Sequence, residues 1–338
     1  MSSTQYDDAI LDSNAIDPTD KNGNPIPVTI PIMLAPGIKV VYTTRLGGTS
    51  EGDFAHFNLG GKSGDKPEHV LANRKALADV LGAKISLISQ VHSGDAVDVD
   101  ESFVINQPFG FDVSGTKADT ARTVDDTAGE PAVIEADGQV TSRKSVALGM
   151  FAADCLPVLM ADPEAGVIGA AHCGRRGLQK GVIGATIEKM VSKGAQPERI
   201  VATLGPCICG DCYEVGGDIA DEFDAQFPGT FTLSRFGQPG IDIAAAALQE
   251  LAKAGVPADN IVSSRPRVNA ATQYLSEDEE LAGICAADGE GDPKLSERFN
   301  KIRRSLCTLE NPLWFSHRRA SLAKKQHEGR MLALIVRE

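Results

Sequence analysis

Two short apolar strands joined by a turn are the feature that most constrains how this chain can fold. Residues 156–160 and 167–171 are apolar runs of strand length, and the segment between them contains Asp-Pro and Gly turn signals. If the two runs pair across this turn, Cys155 lies directly opposite His172. Opposed residues in a ladder have Cβ atoms about 4.5–5.5 Å apart, so one metal ion can bind both side chains. A thiolate and an imidazole at this separation favour zinc.

A metal site needs a third ligand, and His92 is the best placed of the six histidines. It ends an apolar run just before a turn at Gly94. A Cys/His₂ set leaves one tetrahedral position for water or substrate, which is typical of catalytic zinc. On the residues alone two alternatives stay open. The three side chains could be separate buried groups, or Cys155 and His172 could be the nucleophile and base of a cysteine hydrolase.

Nine short motifs occur in order from about residue 38 to the C-terminus. They are TTRLGGTS at 43–50, NLG at 58–60, QVH at 90–92, ADCLP at 153–157, AH at 171–172 with GRRG at 174–177, LGP at 204–206, YEVG at 213–216, CT at 307–308 and FSHRR at 315–319. Together they resemble the YfiH family, also called the laccase-domain or polyphenol-oxidase-like family. The resemblance implies a zinc-dependent purine nucleoside phosphorylase with adenosine deaminase side activity, whose substrates are a purine nucleoside and inorganic phosphate. It also implies that His92, Cys155 and His172 hold the metal.

The periodicity of the chain predicts an α/β or α+β sandwich with helices packed on a mixed sheet, and the resemblance implies a YfiH-like fold. Asp65 is expected to cap the first helix and Gly82 to end it. Helices are predicted over 65–81, 178–193 and 241–254. Further strands are predicted over 38–45, 145–152 and 200–204.

The predicted organisation is an N-terminal arm over 1–36, irregular or forming an added edge strand, and a single catalytic domain over 37–338. Two segments resemble insertions relative to the family. They are 103–135, rich in Asp, Gly and Thr, and 264–306, which is partly acidic. We expect both to be solvated surface excursions, and the alternative is a lid or an oligomer contact.

Gly174-Arg-Arg-Gly177 lies between His172 and the predicted second helix. Two guanidinium groups and free backbone N–H groups at a helix start suit phosphate, which a phosphorylase must hold for attack on the anomeric carbon of ribose. The alternative is that Arg175 and Arg176 are ordinary surface charges. The family usually has Trp at the position of Arg175, so the stacking surface of that ring is replaced here by a charge.

The resemblance implies that four further residues supply polar groups for ribose hydroxyls and phosphate: Arg45, Asn58, Arg318 and Arg319. Arg45 and Arg176 are expected to orient phosphate for cleavage of the N-glycosidic bond. The zinc would polarise the purine or the phosphate, or activate water for attack at C6 of adenine. His317 stands where the family usually has Tyr. Asp154 is expected to support a ligand from behind or to have a packing role, rather than to transfer protons.

The composition narrows the possible partners and the compartment. A formal net charge of −13 argues against nucleic acid or an anionic membrane surface as the main partner. The chain has no apolar run near ~20 residues and no signal-peptide pattern at its start, which predicts a cytoplasmic protein. Seven cysteines, an odd number, indicate free thiols in a reducing compartment.

Three other patterns are weaker. Cys207-Ile-Cys-Gly-Asp-Cys212 has the pattern of a thiolate metal cluster, for which Cys173, Cys285 or Cys307 could supply a fourth ligand. It contains only one Cys-x-x-Cys pair, and the resemblance implies no metal in this loop, so no second metal is expected there. Gly61-Lys-Ser63 is similar to the end of a P-loop, but His56 stands where the first Gly is required. Six histidines are too few for the several copper ions of a multicopper oxidase.

Two other classes of function stay open. One is an amidohydrolase that edits peptidoglycan precursors, with zinc or a cysteine at its centre. The other is a non-enzymatic interaction protein in which the zinc is structural and the acidic segments are docking surfaces.

Overall fold

Two five-stranded mixed β-sheets form the framework of the chain, which the computed structural model describes over residues 17–102, 109–110, 112 and 133–338. The strands of the first sheet are, in spatial order, β1 (Thr29–Ala35), β2 (Ile38–Thr43), β12 (Met331–Arg337), β6 (Val146–Ala152) and β3 (Lys84–Ser86). The β3–β6 pair is parallel, and the other pairs are antiparallel.

The second sheet carries the predicted hairpin. Its strands are, in spatial order, β4 (Ala96–Asp98), β5 (Gly138–Thr141), β8 (Val167–Cys173), β7 (Leu156–Asp162) and β9 (Val201–Leu204). The β4–β5 pair is parallel, and the others are antiparallel. A separate two-stranded sheet consists of β10 (Phe231–Leu233) and β11 (Pro239–Ile241).

Helices pack against the two large sheets. In chain order, those of the described residues are α1 (Pro67–Leu81), α2 (Val99–Ser102), α3 (Arg175–Gln179), α4 (Val182–Ser192), α5 (Gly217–Gln226), α6 (Ile243–Lys253), α7 (Arg265–Tyr274), α8 (Glu279–Ala287), α9 (Leu295–Phe299) and α10 (His317–Leu322).

Three apolar layers hold these elements together. Between the two sheets, Leu148 of β6 lies in one buried cluster with Leu159 of β7. Leu77 of α1 packs with the outer face of the first sheet, and Ile187 of α4 packs with Val158 of β7 on the outer face of the second. Burial of these faces is the main favourable contribution to the fold. The predicted sandwich of helices on mixed sheets is therefore confirmed.

Two helix predictions need correction. Asp65 does not cap α1: Lys66 occupies the N-cap position and donates its N–H to Asp65 Oδ1 at 2.8 Å, while Gly82 ends the helix at a φ of 59° as predicted. The second helix is not continuous over 178–193. It divides into α3 and α4 because Gly181 adopts a φ of 78°, which a helix interior does not allow.

The segment 264–306 is part of the core, so the expectation of a solvated excursion is wrong for it. Val268, Leu281 and Leu295 are buried in the cluster that also contains Ile30 of β1. Strand β1 itself forms the edge of the first sheet. Most of 103–135, and residues 1–16 of the predicted arm, lie outside the described residues, and the domain boundaries stay a prediction.

Within the described residues, every helix is too short or too polar to cross a lipid bilayer.

Candidate functional site

The β7–β8 hairpin pairs in a register shifted by two residues from the predicted one. Pro157, not Cys155, is the partner of His172, so the predicted direct opposition is wrong. The reason lies in the turn. The Asp162 side chain accepts hydrogen bonds from the N–H groups of Glu164 and Ala165, both at 3.0 Å, which keeps Asp162 paired as the last residue of β7. Cys155 therefore precedes the strand and lies beside Gly174.

The three predicted ligands nevertheless converge. The ligand atoms of His92, Cys155 and His172 all lie within 4.8 Å of one another. Cys155 Sγ is 3.6 Å from His92 Nε2, and the two imidazole rings meet edge to face with centroids 4.8 Å apart. Zinc bonds to nitrogen and sulfur at the tetrahedral angle place the two atoms about 3.6 Å apart. The donor set and its spacing therefore suit zinc.

Gly174 is the first glycine of the GRRG motif, and its surroundings explain why a glycine is required there. A Cβ at this position would lie 2.7 Å from His92 Cδ2 and 2.9 Å from Cys155 Sγ, closer than real Cβ contacts allow. Any side chain here would push two of the three donors apart. The motif thus begins with a glycine because the side chains of His92 and Cys155 occupy the space of its missing side chain.

Two residues of the site have a backbone conformation that non-glycine residues rarely adopt. His92 has a φ of 59° and Asp154 a φ of 93°. Lys180 Nζ donates to the His92 carbonyl at 2.7 Å, and the Asp154 carboxylate accepts from Thr308 Oγ1 and from the N–H of Arg318, both at 2.6 Å. These contacts hold a conformation that costs of order 1–3 kcal/mol and is common at functional sites. These hydrogen bonds connect Asp154, the neighbour of Cys155, to the segments that carry Thr308 and Arg318.

Asp137, which the sequence analysis missed, orients the second imidazole. Its Oδ1 lies 2.7 Å from His172 Nδ1, and its Oδ2 accepts the N–H groups of Val91 and Ser93 at 3.2 and 2.5 Å. The carboxylate thus fixes His172 with Nε2 toward Cys155 and also fixes the loop that carries His92. A carboxylate behind a ligating histidine is the usual second layer of a zinc site. Its sequence signal was the Ala-Asp-Gly before β5.

The charged forms of Cys155, His172 and Asp137 stabilise one another. Burial raises the pKa of the Cys155 thiol, but His172 and His92 lower it to about 6. Burial lowers the pKa of His172, but Cys155 and the Asp137 carboxylate raise it to about 9. Although burial opposes it, the hydrogen bond from His172 lowers the pKa of Asp137 to about 2. The thiolate needed for metal binding is thus favoured by its own neighbours.

The three ligands line one side of a pocket of about 530 Å³, a size typical of small-molecule sites. Three cationic side chains also line it: Lys62, Arg318 and Arg330. Phe151 and Tyr213 contribute aromatic surface, and Arg318 lies over the Tyr213 ring with its Cζ 5.8 Å from the centroid. The pocket thus combines candidate metal ligands, positive charge and aromatic surface.

Of the predicted substrate residues, Arg318 lines this pocket, and its Nη2 donates to the Glu214 carbonyl at 2.7 Å. Arg175 and Arg176 on α3 do not line it. Arg175 bonds to Gln179 at 2.8 Å along the same helix, and Arg176 is exposed. The structure therefore does not bring the GRRG arginines into the pocket.

Arg45 and Arg319 lie in a buried ion cluster instead. Arg45 Nη1 is 3.1 Å from Asp288 and 3.6 Å from Glu290, and Arg319 Nε donates to Glu290 at 2.8 Å. Arg319 also donates to the Trp314 carbonyl at 2.5 Å. Both guanidinium groups are used to hold 264–306 against the core. The structure does not support a phosphate-binding role for either.

Asn58 is fully buried and acts through the loop that follows it. Its side chain donates to Ser63 and Asp65, both at 2.9 Å, and accepts from the N–H groups of Gly60 and Arg330 at 3.0 and 2.8 Å. It therefore shapes the pocket wall without lining the pocket.

Sequence analysis missed several polar residues of the pocket, among them Lys62, Arg330 and Gln90. Lys62 donates from Nζ to Ser89 Oγ, Arg330 pairs with Glu328 at 2.6 Å, and Gln90 makes two hydrogen bonds to the backbone of Phe151 at 2.9 and 2.7 Å. Lys62 belongs to the Gly61-Lys-Ser63 segment, which is no P-loop but does line the pocket. Gln90 could have been predicted as a pocket residue, because it is the first residue of the QVH motif that contains His92.

His317, in place of the usual Tyr, lies at the pocket rim. Its Nδ1 is 3.0 Å from Glu328 Oε1, and this contact raises the pKa of the imidazole although burial opposes it. The Glu328 carboxylate thus favours the protonated imidazole and also pairs with Arg330 on the same wall.

Part of the sequence is similar to known enzymes. The family model described as "Multi-copper polyphenol oxidoreductase laccase" matches residues 39–280. The chain is 41% identical over 218 residues to "Purine nucleoside phosphorylase ORF3" of Streptomyces griseus, which covers 64% of this chain and 79% of that protein. It is 32% identical over 236 residues to "Adenosine deaminase RL5" from an unknown prokaryotic organism, covering 68% of this chain and 83% of that protein.

Solved structures share the fold. The hypothetical protein YfiH of Bacillus licheniformis is similar with a TM-score of 0.65 and 25% identity, over 89% of this chain and 93% of that chain. YlmD of Geobacillus stearothermophilus is similar with a TM-score of 0.67 and 26% identity, over 95% of this chain and 99% of that chain.

Proposed function

This chain belongs to the family described as multi-copper polyphenol oxidoreductase laccase, the YfiH family, and we propose that it is a zinc-dependent purine nucleoside phosphorylase that also deaminates adenosine. The observation that supports this best is the pairing of an open three-ligand centre, His92, Cys155 and His172, with a cationic wall in one pocket. Relatives named as purine nucleoside phosphorylase and as adenosine deaminase agree with both activities.

Zinc is the metal of this proposal because the three ligands match the form of a catalytic zinc site. Two imidazoles and one thiolate leave the fourth tetrahedral position open, as in catalytic zinc sites. Zinc bound there would supply Lewis acidity for the substrate and would lower the pKa of water for attack at C6 of adenine. Asp137 would hold His172 in the tautomer whose Nε2 faces the metal.

Phosphate binding is assigned to the residues that line the pocket rather than to Arg45 and Arg176. Lys62, Arg318 and Arg330 can donate charge-assisted hydrogen bonds to phosphate oxygens. The phosphate oxygen then forms a bond to C1′ of ribose while the C1′–N9 bond breaks. The electron pair of that bond goes to the purine, which takes up a proton from water.

The aromatic part of the pocket is assigned to the purine. Phe151 and Tyr213 lie in the same pocket as the metal ligands, so a base packed on them has its edge near the centre. Deamination needs C6 of adenine at that centre, with water consumed and ammonia released.

The test measures the products that purified protein of known metal content forms from adenosine, inosine and methylthioadenosine, with and without phosphate. We expect phosphate-dependent release of free base and ribose 1-phosphate, and phosphate-independent conversion of adenosine to inosine. Both activities should be lost in His92→Ala. Bound zinc without any nucleoside turnover would refute the proposal.

A matched pair of variants tests the phosphate assignment. Lys62→Gln removes a charge that lines the pocket, and Arg176→Gln removes an exposed charge on α3 that does not. We expect the KM for phosphate to rise in Lys62→Gln and to stay unchanged in Arg176→Gln. The reverse result would restore the role that the sequence pattern gave to Arg176.

A further inference from the structure

A second group of potential metal ligands lies outside the proposed active centre. We propose that Cys209, Cys212, Cys307 and Glu310 form a closed structural zinc site. The ligand atoms of these four residues all lie within 4.8 Å of one another. The sequence analysis expected no metal here, but the structure brings two donors from 98 residues farther along the chain to the Cys-x-x-Cys pair.

The backbone brings the three thiols together. Within the loop, the N–H groups of Cys212 and Tyr213 donate to the Cys209 carbonyl at 2.9 and 3.0 Å, which closes a tight turn. Cys207 pairs with Cys307: the Cys207 N–H donates to the Leu306 carbonyl at 3.0 Å, and the Thr308 N–H donates to the Cys207 carbonyl at 3.1 Å. Cys307 is thus fixed beside the turn, and its Sγ accepts the N–H of Cys209 at 3.5 Å.

Glu310 is the fourth donor and is held in one orientation. Its Oε2 accepts the N–H groups of Arg303 and Arg304 at 2.7 and 2.8 Å. Its Oε1 faces the thiols, 3.5 Å from Cys212 Sγ, and pairs with Arg235 at 3.0 Å. A fully buried carboxylate that is anchored through one oxygen leaves the other available to a cation.

The charges around the cluster fit a divalent cation. Three thiolates and one carboxylate carry four negative charges, and zinc neutralises two of them. Arg235 contacts the carboxylate directly, and Arg304 lies beside the loop, 2.9 Å from Asp211. Because Asp211 takes up the charge of Arg304, Arg235 offsets one of the two remaining charges, and backbone N–H groups donate to Cys307 Sγ and to Glu310. Thiolate ligands in this number favour zinc over magnesium or calcium.

The site differs from the first in that four protein ligands complete the tetrahedron. Cys212 and Cys307 are buried in the apolar cluster that packs on the outer face of the second sheet. No position is left for water or substrate, which is the arrangement of a structural zinc site.

The position of the cluster gives this zinc a role in the pocket. Tyr213 follows Cys212 and lines the pocket. Thr308 follows Cys307 and donates to Asp154, the neighbour of Cys155, at 2.6 Å. A metal between the two segments would therefore hold the aromatic wall and the contact behind the first centre in place.

The test counts zinc per chain in protein purified without added metal or chelator. We expect two in the wild type, one in His92→Ala, one in Cys209→Ser/Cys212→Ser and two in the control Cys285→Ser, which changes a buried cysteine away from both centres. Cobalt substitution of His92→Ala should give the strong sulfur-to-cobalt charge-transfer band of a tetrahedral three-thiolate site.

Three results would overturn the inference. One is a wild-type chain with a single zinc that the cysteine double variant retains. Another is a Cys209–Cys212 disulfide, found by peptide mass, in protein prepared without oxygen. The third is a His92→Ala protein whose cobalt spectrum has no thiolate band, a result that stands even if the cysteine variant does not fold. Zinc counts do not depend on nucleoside turnover, so failure of the proposed function would leave this test unaffected.

Discussion

Asp137→Asn tests how the chain builds its metal centre, because Asp137 touches no substrate in the proposed mechanism but orients a ligand. Its carboxylate meets three donors: His172 Nδ1 at 2.7 Å and the N–H groups of Val91 and Ser93 at 3.2 and 2.5 Å. An asparagine has one acceptor oxygen, so its amide NH₂ must face either the imidazole N–H or the two backbone N–H groups. Both arrangements put donor against donor.

The size of the effect follows from these contacts. Loss of a carboxylate behind a ligating histidine typically lowers metal affinity about 10–100-fold, which is about 1.4–2.7 kcal/mol. Leaving a buried donor without an acceptor costs a further ~1–3 kcal/mol of stability. We therefore expect weaker zinc binding and a lower melting temperature for the metal-free protein.

The assay is a competition titration of zinc against a chromophoric chelator, with melting of the metal-free and zinc-loaded forms. Asp162→Asn is the matched control. Asp162 is also a fully buried carboxylate that accepts backbone N–H groups, but at the far end of β7. It should lose stability and keep its zinc affinity. Wild-type zinc affinity in Asp137→Asn would refute the reasoning.

Three further outcomes are expected. Gly174→Ala should lose zinc and activity, measured by metal content and turnover, because its Cβ would lie 2.7 Å from His92 Cδ2; Gly184→Ala, with open space at its Cβ, should keep both. Arg45→Met should lower the free energy of unfolding in urea by about 1.5–3 kcal/mol, since it removes buried charge-assisted contacts to Asp288 and Glu290, although both carboxylates keep other cationic partners; a loss under about 0.5 kcal/mol would contradict this. Although burial raises it, the surrounding cations lower the pKa of Glu290 from 4.5 to about 2. Its stabilisation is thus complete above pH 4.5 and lost as the pH falls toward 2, so wild type and Glu290→Gln should converge in unfolding free energy over that interval and differ above it.

The sequence correctly predicted those structural elements that depend only on residues near to them in the chain. The apolar runs of the hairpin and the glycine that ends α1 act through neighbouring residues, and both were placed correctly. The register of β7 and β8 was missed by two positions because it depends on the Asp162 side chain, which binds the turn and extends the strand. The division of the second helix was missed because one glycine interrupts an otherwise apolar periodicity.

The site was predictable as far as motifs reached. His92, Cys155 and His172 do converge, although their roles stay a prediction until metal is measured. The sequence did not distinguish arginines that face the pocket from arginines that form buried ion pairs, because a guanidinium in a motif can do either. Arg45 does the latter, since Asp288 reaches it from 243 residues away. Asp288 lies in 264–306, the segment that was expected to be solvent-exposed because it is partly acidic.

Strand β12 lies in the middle of the first sheet, and this position determines when the sheet can form during synthesis. Its residues pair on one side with β2, where Arg337 meets Ile38, and on the other with β6. During synthesis, β2 and β6 emerge long before the strand that joins them, so their edges are unpaired while the rest of the chain is added. The first sheet can close only after a loop of nearly the whole chain, which makes this step slow. Nascent chains should therefore depend on chaperones over this interval, however stable the finished fold is.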